Sequence, residues 1–396
     1  MLPIQRVNTT VVLLVLVFVI VVGTGWILYV QLHTDEVSTQ VSAGEIVRTL
    51  VVAHEDNRPF LSLVLFYHPK THRAAVLDIP GNIGMVLTPL GRIDRIDAVF
   101  DGKNPQAFVT AVEEATGVSI AHWIVFDTAS LVDFIDLLGG LELFIINDYR
   151  DIDESEPVLL PTGSAVLDGD KAVQYLRLSG QAELELEQIG KRQAFVQALL
   201  RSIKNSGSFL QHPDVVKIRS KIVSSSLDER AQTALFTEFT RIDPERIVRR
   251  RVQGTVRSID VEGTSRQLLF PHFEGQWLRQ AVRQVEETLA KTEEEIGEDT
   301  AVTVEVLNGT ASSGLARRTS ELYEDFGFDV LRFSNAESNQ IEHTLVIDRR
   351  GVGETAERAA RVIEANRIVV DVLENTDVDV TLILGKDFDG TVVRSQ

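Results

Sequence analysis

The side chains of this chain that could do chemistry are basic rather than nucleophilic. There is no cysteine, which excludes disulfides, thiolate zinc sites, iron–sulfur clusters and a cysteine nucleophile. The histidines are scattered, and apart from His68 and His72 none falls in a His-x-x-x-His or carboxylate-linked zinc pattern. His68 and His72 stand four apart, but they flank a turn signal at Pro69, where that spacing is coincidence rather than a metal pair. Neither a G-x-S-x-G elbow nor a Walker loop is present. Arg246-Ile-Val-Arg-Arg-Arg251 is basic and suits anionic lipid heads or polymer phosphates. A strand edge with outward charges explains the run equally well. Asn308-Gly309-Thr310 opens a helical pattern, and its amides could hold an anion. A strand-to-helix turn capped by Thr or Ser is the simpler account.

The charge balance narrows the partners. The 396 residues carry 39 Lys+Arg against 58 Asp+Glu, a net charge of −19. A chain this acidic is poorly suited to non-specific nucleic-acid binding, which wants a positive surface, so no nucleic-acid partner is expected. Hydrophobic residues at 44% and charged residues at 24% describe an ordinary folded protein, and the length suggests roughly two domains.

From Val11 to Val30 the chain is uncharged. As a helix that run would span about 30 Å, the thickness of a hydrocarbon core. Trp26 and Tyr29 stand toward its far end, where amphipathic aromatics favour the interface. A cleaved signal peptide would have an apolar region of about 7–15 residues and a small-x-small site, and no A-x-A follows here. Arg6 precedes the run while Asp35 and Glu36 follow it. The expectation is therefore a single-pass anchor in the cell membrane: residues 1–10 cytoplasmic, 11–30 spanning, and the bulk extracytoplasmic.

The elements that must position any site alternate between strand and helix patterns. Residues 31–57 read as a polar, partly helical stalk. Leu61–Tyr67 and Ala74–Ile79 form a hairpin, followed by a helix at Pro105–Thr116, a strand at Ile120–Phe126, a helix at Ser130–Leu138 and a strand at Leu141–Ile146. Two more helices are expected at Asp168–Leu176 and Lys191–Ile203. This alternation predicts an α/β fold with a central mixed β-sheet flanked by helices, over about 58–290. A second, small α/β domain is expected over about 300–390, after an acidic linker. Its helices would turn Leu315, Leu322 and Phe326, and then Ala356, Ala359 and Ile363, toward the core.

An ordered set of segments resembles the LytR-CpsA-Psr family of envelope proteins. They are HPKTHRAAVLDIPGN at 68–82, RIDAVFDG at 95–102, LVDFIDLLGGLEL at 131–143, LDGDKAVQYLRLSG at 167–180 and KRQAFVQALL at 191–200. VEVLNGTASSGLA at 304–316 resembles the C-terminal domain often attached to that family. The resemblance implies a membrane-anchored phosphotransferase that moves a glycopolymer from a polyprenyl-pyrophosphate carrier to peptidoglycan or another envelope acceptor. Such chemistry calls for a greasy cleft, arginines for the pyrophosphate and carboxylates for magnesium.

Against that template the polar chemistry is depleted. The family's metal carboxylates fall at Phe60 and Asn82, so no bound metal is expected. Its Ile-Pro-Arg-Asp motif reads Ile79-Pro80-Gly81-Asn82, its second tyrosine-motif arginine is Ser179, and a later arginine is Gln188. The residues left for a phosphate-bearing ligand are Arg177, Lys191, Arg192 and Arg95, with Arg92 as a substitute for the last. Lys191 and Arg192 are expected to open a helix, working against its macrodipole unless an anion sits nearby. Two functions compete. One is an envelope protein that binds lipid-linked glycopolymer, either as a divergent phosphotransferase using Lys191 and Arg192 or with no catalysis left; the other is an envelope scaffold acting through its C-terminal domain.

Overall fold

A computed structural model of the chain describes residues 18, 35–145, 149–150, 159–160, 162–177, 185–261, 263–291, 302–351, 353–373 and 376–393. Apart from Phe18, the expected anchor at 11–30 lies outside the described residues. Among those residues no helix is long and apolar enough to cross a membrane.

The chain enters through helix α1 (Glu36–Ala43), capped by Asp35, whose carboxylate accepts the Ser38 N–H at 2.7 Å. Val37 is fully buried, so α1 is fastened to the domain. Strand β1 (Val47–Glu55) follows, and here the expected stalk is corrected. Residues 47–55 form an inner strand because Leu50-Val51-Val52-Ala53, a short apolar run between polar neighbours, is covered on both faces. β1 pairs antiparallel with β2 (Arg58–His68), and β2 with β3 (Arg73–Asp78), the hairpin read from sequence.

The excursion β4 (Gly84–Leu87) and β5 (Arg92–Arg95) leads to helix α2 (Gln106–Thr116) and strand β6 (His122–Asp127), which joins β1 in parallel. Helix α3 (Thr128–Leu137), strands β7 (Leu141–Ile145) and β8 (Gly163–Leu167), and helices α4 (Gly169–Arg177) and α5 (Glu185–Asn205) come next. Then follow α6 (Pro213–Ile222), β9 (Ser224–Ser225), α7 (Glu229–Phe239) and β10 (Val248–Arg251), which closes the far edge parallel to β3. The central sheet runs β9-β6-β1-β2-β3-β10 and is mixed. A hairpin of β11 (Gly254–Val261) and β12 (Thr264–Pro271) and helix α8 (Gln276–Ala290) complete the unit.

Strand β2 explains why the sheet is a middle layer. Leu61, Leu63, Leu65 and Tyr67 join one core, while Val64 and Phe66 join the other, as a two-residue period requires. The first core is closed by Phe134 of α3 and Phe236 of α7, whose rings meet at 5.6 Å. The second is closed by Phe108 of α2 and Val282 of α8. A strand buried on both faces reads as a near-continuous apolar run, which is how Leu61–Tyr67 appears, broken only at Ser62.

A separate five-stranded sheet follows. Its strands are β13 (Thr303–Asn308), β14 (Asp329–Asn335), β15 (Leu345–Asp348), β16 (Ile368–Val370) and β17 (Val380–Leu384), in the order β14-β13-β17-β15-β16. Helices α9 (Leu315–Asp325) and α10 (Glu354–Val362) cover one face. Ala356, Ala359 and Ile363 face inward as expected, but Phe326 is exposed. Tyr323 takes the inner position and donates its hydroxyl to the Ala359 carbonyl at 2.7 Å, because α9 stops before Phe326 can turn inward. On the other face Leu345, Ile347 and Val369 pack with Ile189 of α5, joining the two sheets' units.

Candidate functional site

Strand β3 ends at Asp78, and the chain continues through Ile79-Pro80-Gly81-Asn82 into the floor of a cleft of about 330 Å3. Asp78, Asn82, Arg192, Arg251, His272 and Leu373 contribute to its walls. Arg192 of α5 donates from Nη2 and Nε to one Asp78 oxygen, at 2.9 and 3.2 Å. Burial pushes the Asp78 carboxyl up from its ordinary range, and Arg192, then Arg251, pull it back. Arg251 stands opposite Asp78 in the β10–β3 register. Its Nε donates to Asp371 at 2.7 Å, and Asp371 also accepts from Arg349 at 2.8 Å. The C-terminal unit thus supplies Leu373 to the cleft wall and a carboxylate that holds Arg251.

The other expected cations are dispersed. Arg177 makes a two-pronged pair with Glu55, at 2.9 and 2.5 Å, and its guanidinium lies 5.9 Å from the Phe60 ring centroid. Arg95 pairs the same way with Asp97, at 2.8 and 2.5 Å, and that bond raises its pKa still further. Arg92, the substitute, holds Asp94 at 2.9 Å. Lys191 is buried, its ammonium 5.8 Å from the Tyr175 ring centroid. It lines a different cavity, of about 460 Å3, shared with Arg249, Glu357 and Arg367. Consecutive helical residues point about 100° apart, so Lys191 and Arg192 face different cavities from adjacent sides of α5.

Two expectations change here. Helix α5 begins at Glu185, so Lys191 and Arg192 lie inside it rather than at its start, and the macrodipole argument does not apply to them. Of the Arg246–Arg251 run, residues 248–251 do form an edge strand, but the charges are not simply outward. Arg249 is buried and Arg251 is committed to Asp371. Residues 308–314 do form a strand-to-helix turn, in which the Thr310 N–H donates to Asn308 Oδ1 at 3.0 Å and the Ser312 N–H to Thr310 Oγ1 at 3.1 Å, but the expected Thr or Ser cap is corrected: Gly314 is the N-cap of α9 and no side chain caps it.

The sequence reading missed Asp78 and Arg251 as members of the cleft, and Asp371 as the partner that holds Arg251. Asp78 directly precedes Ile79-Pro80, and Arg251 ends the basic run, so both carried a local signal. Asp371 had none, because its role depends on how the two units meet.

The residues present do not fit magnesium. Phe60 offers a ring, Asn82 a neutral amide, and the one cleft carboxylate among the described residues, Asp78, already faces Arg192 and Arg251. A divalent cation there would meet two guanidinium charges. A family arginine at position 81 would also meet Asp97, whose Oδ2 lies 2.2 Å from where a Cβ on Gly81 would sit.

Asp94, beside this cluster, is fully buried; it accepts from Arg92 of its own strand and, through Arg266, ties the β4–β5 excursion to the β11–β12 hairpin, each at 2.9 Å. Burial alone would raise its pKa. The Arg95 N–H, Arg92 and Arg266 outweigh that and hold it below the usual carboxylate value. Its contribution is therefore complete above the unfolded value of about 3.9 and is lost as pH falls through the lower folded value. Asp94→Asn is expected to cost about 2–3 kcal/mol at pH 7, and the gap to wild type should narrow in acid urea denaturation below about pH 4. An equal gap at pH 3 and pH 7 would contradict this.

Residues 61–272 match the LytR_cpsA_psr family, and residues 301–388 match the domain described as LytR cell envelope-related transcriptional attenuator. The chain is 26% identical over 156 residues to the probable cell wall biosynthesis protein LcpB of Corynebacterium glutamicum, covering 38% of this chain and 35% of that protein. It is 25% identical over 124 residues to the polyisoprenyl-teichoic acid–peptidoglycan teichoic acid transferase TagV of Bacillus subtilis, covering 30% and 32%. The matches thus span about a third of each curated relative's length. Among solved structures, B. subtilis TagV superposes with a TM-score of 0.53 at 16% identity, over 63% of this chain and 99% of that one. TagT bound to LIIa-WTA gives 0.51 at 16%, over 62% and 91%. At these identities the structural likeness establishes the fold.

Proposed function

The chain belongs to the LytR-CpsA-Psr family, and from that premise we propose an envelope protein that holds a polyprenyl-pyrophosphate-linked glycopolymer without transferring it. The observation that carries this reading is the composition of the cleft. Arg192 and Arg251 line it and would meet phosphate oxygens by sharing them with Asp78 and Asp371, while the family's metal-carboxylate positions hold Phe60 and Asn82. Arginine keeps its charge and binds phosphate through a planar fork, so affinity can outlast catalysis. In the same reading residues 11–30 anchor the chain in the cell membrane with the bulk extracytoplasmic, so a prenyl carrier in that bilayer could reach the cleft. Peptidoglycan, the acceptor named for TagV, would then be a neighbour rather than a co-substrate.

The envelope scaffold is kept as a second reading because of one specific observation. Arg177, Arg95 and Arg192 are each bound to a carboxylate of the chain itself, namely Glu55, Asp97 and Asp78. An incoming pyrophosphate must displace or share those partners. Extraction of the full chain from its membrane, followed by mass spectrometry of bound lipid, separates the readings. Stoichiometric prenyl phosphate lipid, reduced at least fivefold in Arg192→Lys, supports the holding function. Protein partners with no such lipid support the scaffold.

A further inference from the structure

The end of the sheet at which the chain enters carries charge of the opposite sign to the rest of the molecule. A cleft of about 340 Å3 there is lined by Lys70, Arg73, Arg241, Arg246 and Lys291, with Asp243 as the carboxylate on its wall. This clustering occurs in a chain whose net charge is −19. Arg73 is fixed by the Thr288 carbonyl at 2.7 Å at the end of α8, and Arg241 keeps Glu238 at 3.1 Å. Lys70, Arg241, Arg246 and Lys291 are exposed.

The position of this cleft is tied to the amino-terminal segment. The Lys70 stem lies against Gly44, where an added Cβ would come within 2.2 Å of Lys70 Cε. Gly44 caps α1 in the left-handed conformation, and α1 is held to the domain by buried Val37. Four residues lie between Val30 and Asp35, five steps that span at most about 18 Å of extended chain, and α1 adds about 12 Å. A chain anchored through 11–30 therefore cannot carry this end far from its bilayer, and α1 is not a swinging stalk.

We propose that this cleft is a docking surface for anionic phospholipid headgroups of the membrane that holds residues 11–30. The inference rests on the anchored topology proposed above. Charge complementarity selects the occupant: a negatively charged bilayer attracts clustered Lys and Arg within a Debye length and repels the acidic remainder. Docking would fix the domain's tilt, and with it the height of the Arg192 cleft above the bilayer.

The test uses the full chain in nanodiscs of phosphatidylcholine alone or with 30% phosphatidylglycerol, read by acetylation of Lys70 and Lys291 under limiting reagent. Both lysines should be labelled about fivefold more slowly in the anionic discs. The Lys70→Glu/Lys291→Glu variant should lose the corresponding slowing of amide exchange over 241–246. Equal labelling in the two discs overturns the proposal, whether high because nothing covers the cleft or low because the acidic 293–299 stretch does. Failure of the chain to co-elute with either disc overturns the anchored topology as well, and so separates the two failures.

Discussion

Arg192→Ala is expected to lower the unfolding free energy by about 2–3 kcal/mol at pH 7.5, and by clearly less at pH 5. The cost falls below that of a fully buried pair because Arg192 remains about a third exposed, with side-chain exposures of 31% and 19% for Arg192 and Asp78. Burial already pushes the Asp78 carboxyl up, and Arg192 is the strongest influence holding it ionised. Without Arg192 the folded pKa rises further above the unfolded value of about 3.9. The native state then binds the proton more tightly than the unfolded chain, so stability is present at low pH and is lost as pH rises through the folded pKa. Adding Asp78→Asn to Arg192→Ala removes the stranded charge and should recover most of the loss. Urea denaturation of the single and double variants at both pH values checks this. A deficit independent of pH and untouched by Asp78→Asn would mean that Arg192 acts by packing alone.

The second large effect is expected at the clasp between the two units. Asp371 is 7% exposed and receives both Arg251 and Arg349. Asp371→Ala leaves two largely buried guanidinium groups without that carboxylate, at a cost of about 3 kcal/mol, which falls on the association of the units. Apolar contact through Ile189, Leu345, Ile347 and Val369 remains, as does the reciprocal pair in which Gln193 meets the Val370 carbonyl at 3.1 Å and its N–H at 3.0 Å. The C-terminal unit should therefore loosen rather than unfold. Limited proteolysis should cut within 292–300 at least tenfold faster in Asp371→Ala, while the separated fragments keep their own melting transitions. Unchanged cleavage would show that the apolar seam suffices.

How much of this was readable beforehand follows from the range of the interactions. The mixed sheet and its flanking helices were legible because each element signals itself. Leu61–Tyr67 is a doubly buried strand, and Ala356, Ala359 and Ile363 recur with helical period. Strand β1 was missed because its apolar stretch is four residues long and its partners, β2 and β6, lie on either side only after folding. Phe326 and Tyr323 exchanged places because three residues on a helix face do not say where the helix stops. The site was less legible still. The replacements at Phe60, Gly81 and Asn82 were visible from their types. That Arg177, Arg95 and Arg192 each turn to a carboxylate of the chain was not, because two of those partners, Glu55 and Asp78, lie more than a hundred residues away.

The central claim is that this family fold keeps an arginine cleft for a lipid-linked pyrophosphate while lacking the groups that would transfer its glycan. The full chain, in discs containing a polyprenyl-pyrophosphate-linked glycan, is mixed with peptidoglycan acceptor, with magnesium or with chelator. The account predicts glycan retained on the chain to the same extent under both conditions, with no covalent product on the acceptor. Magnesium-dependent appearance of glycan on peptidoglycan would contradict it.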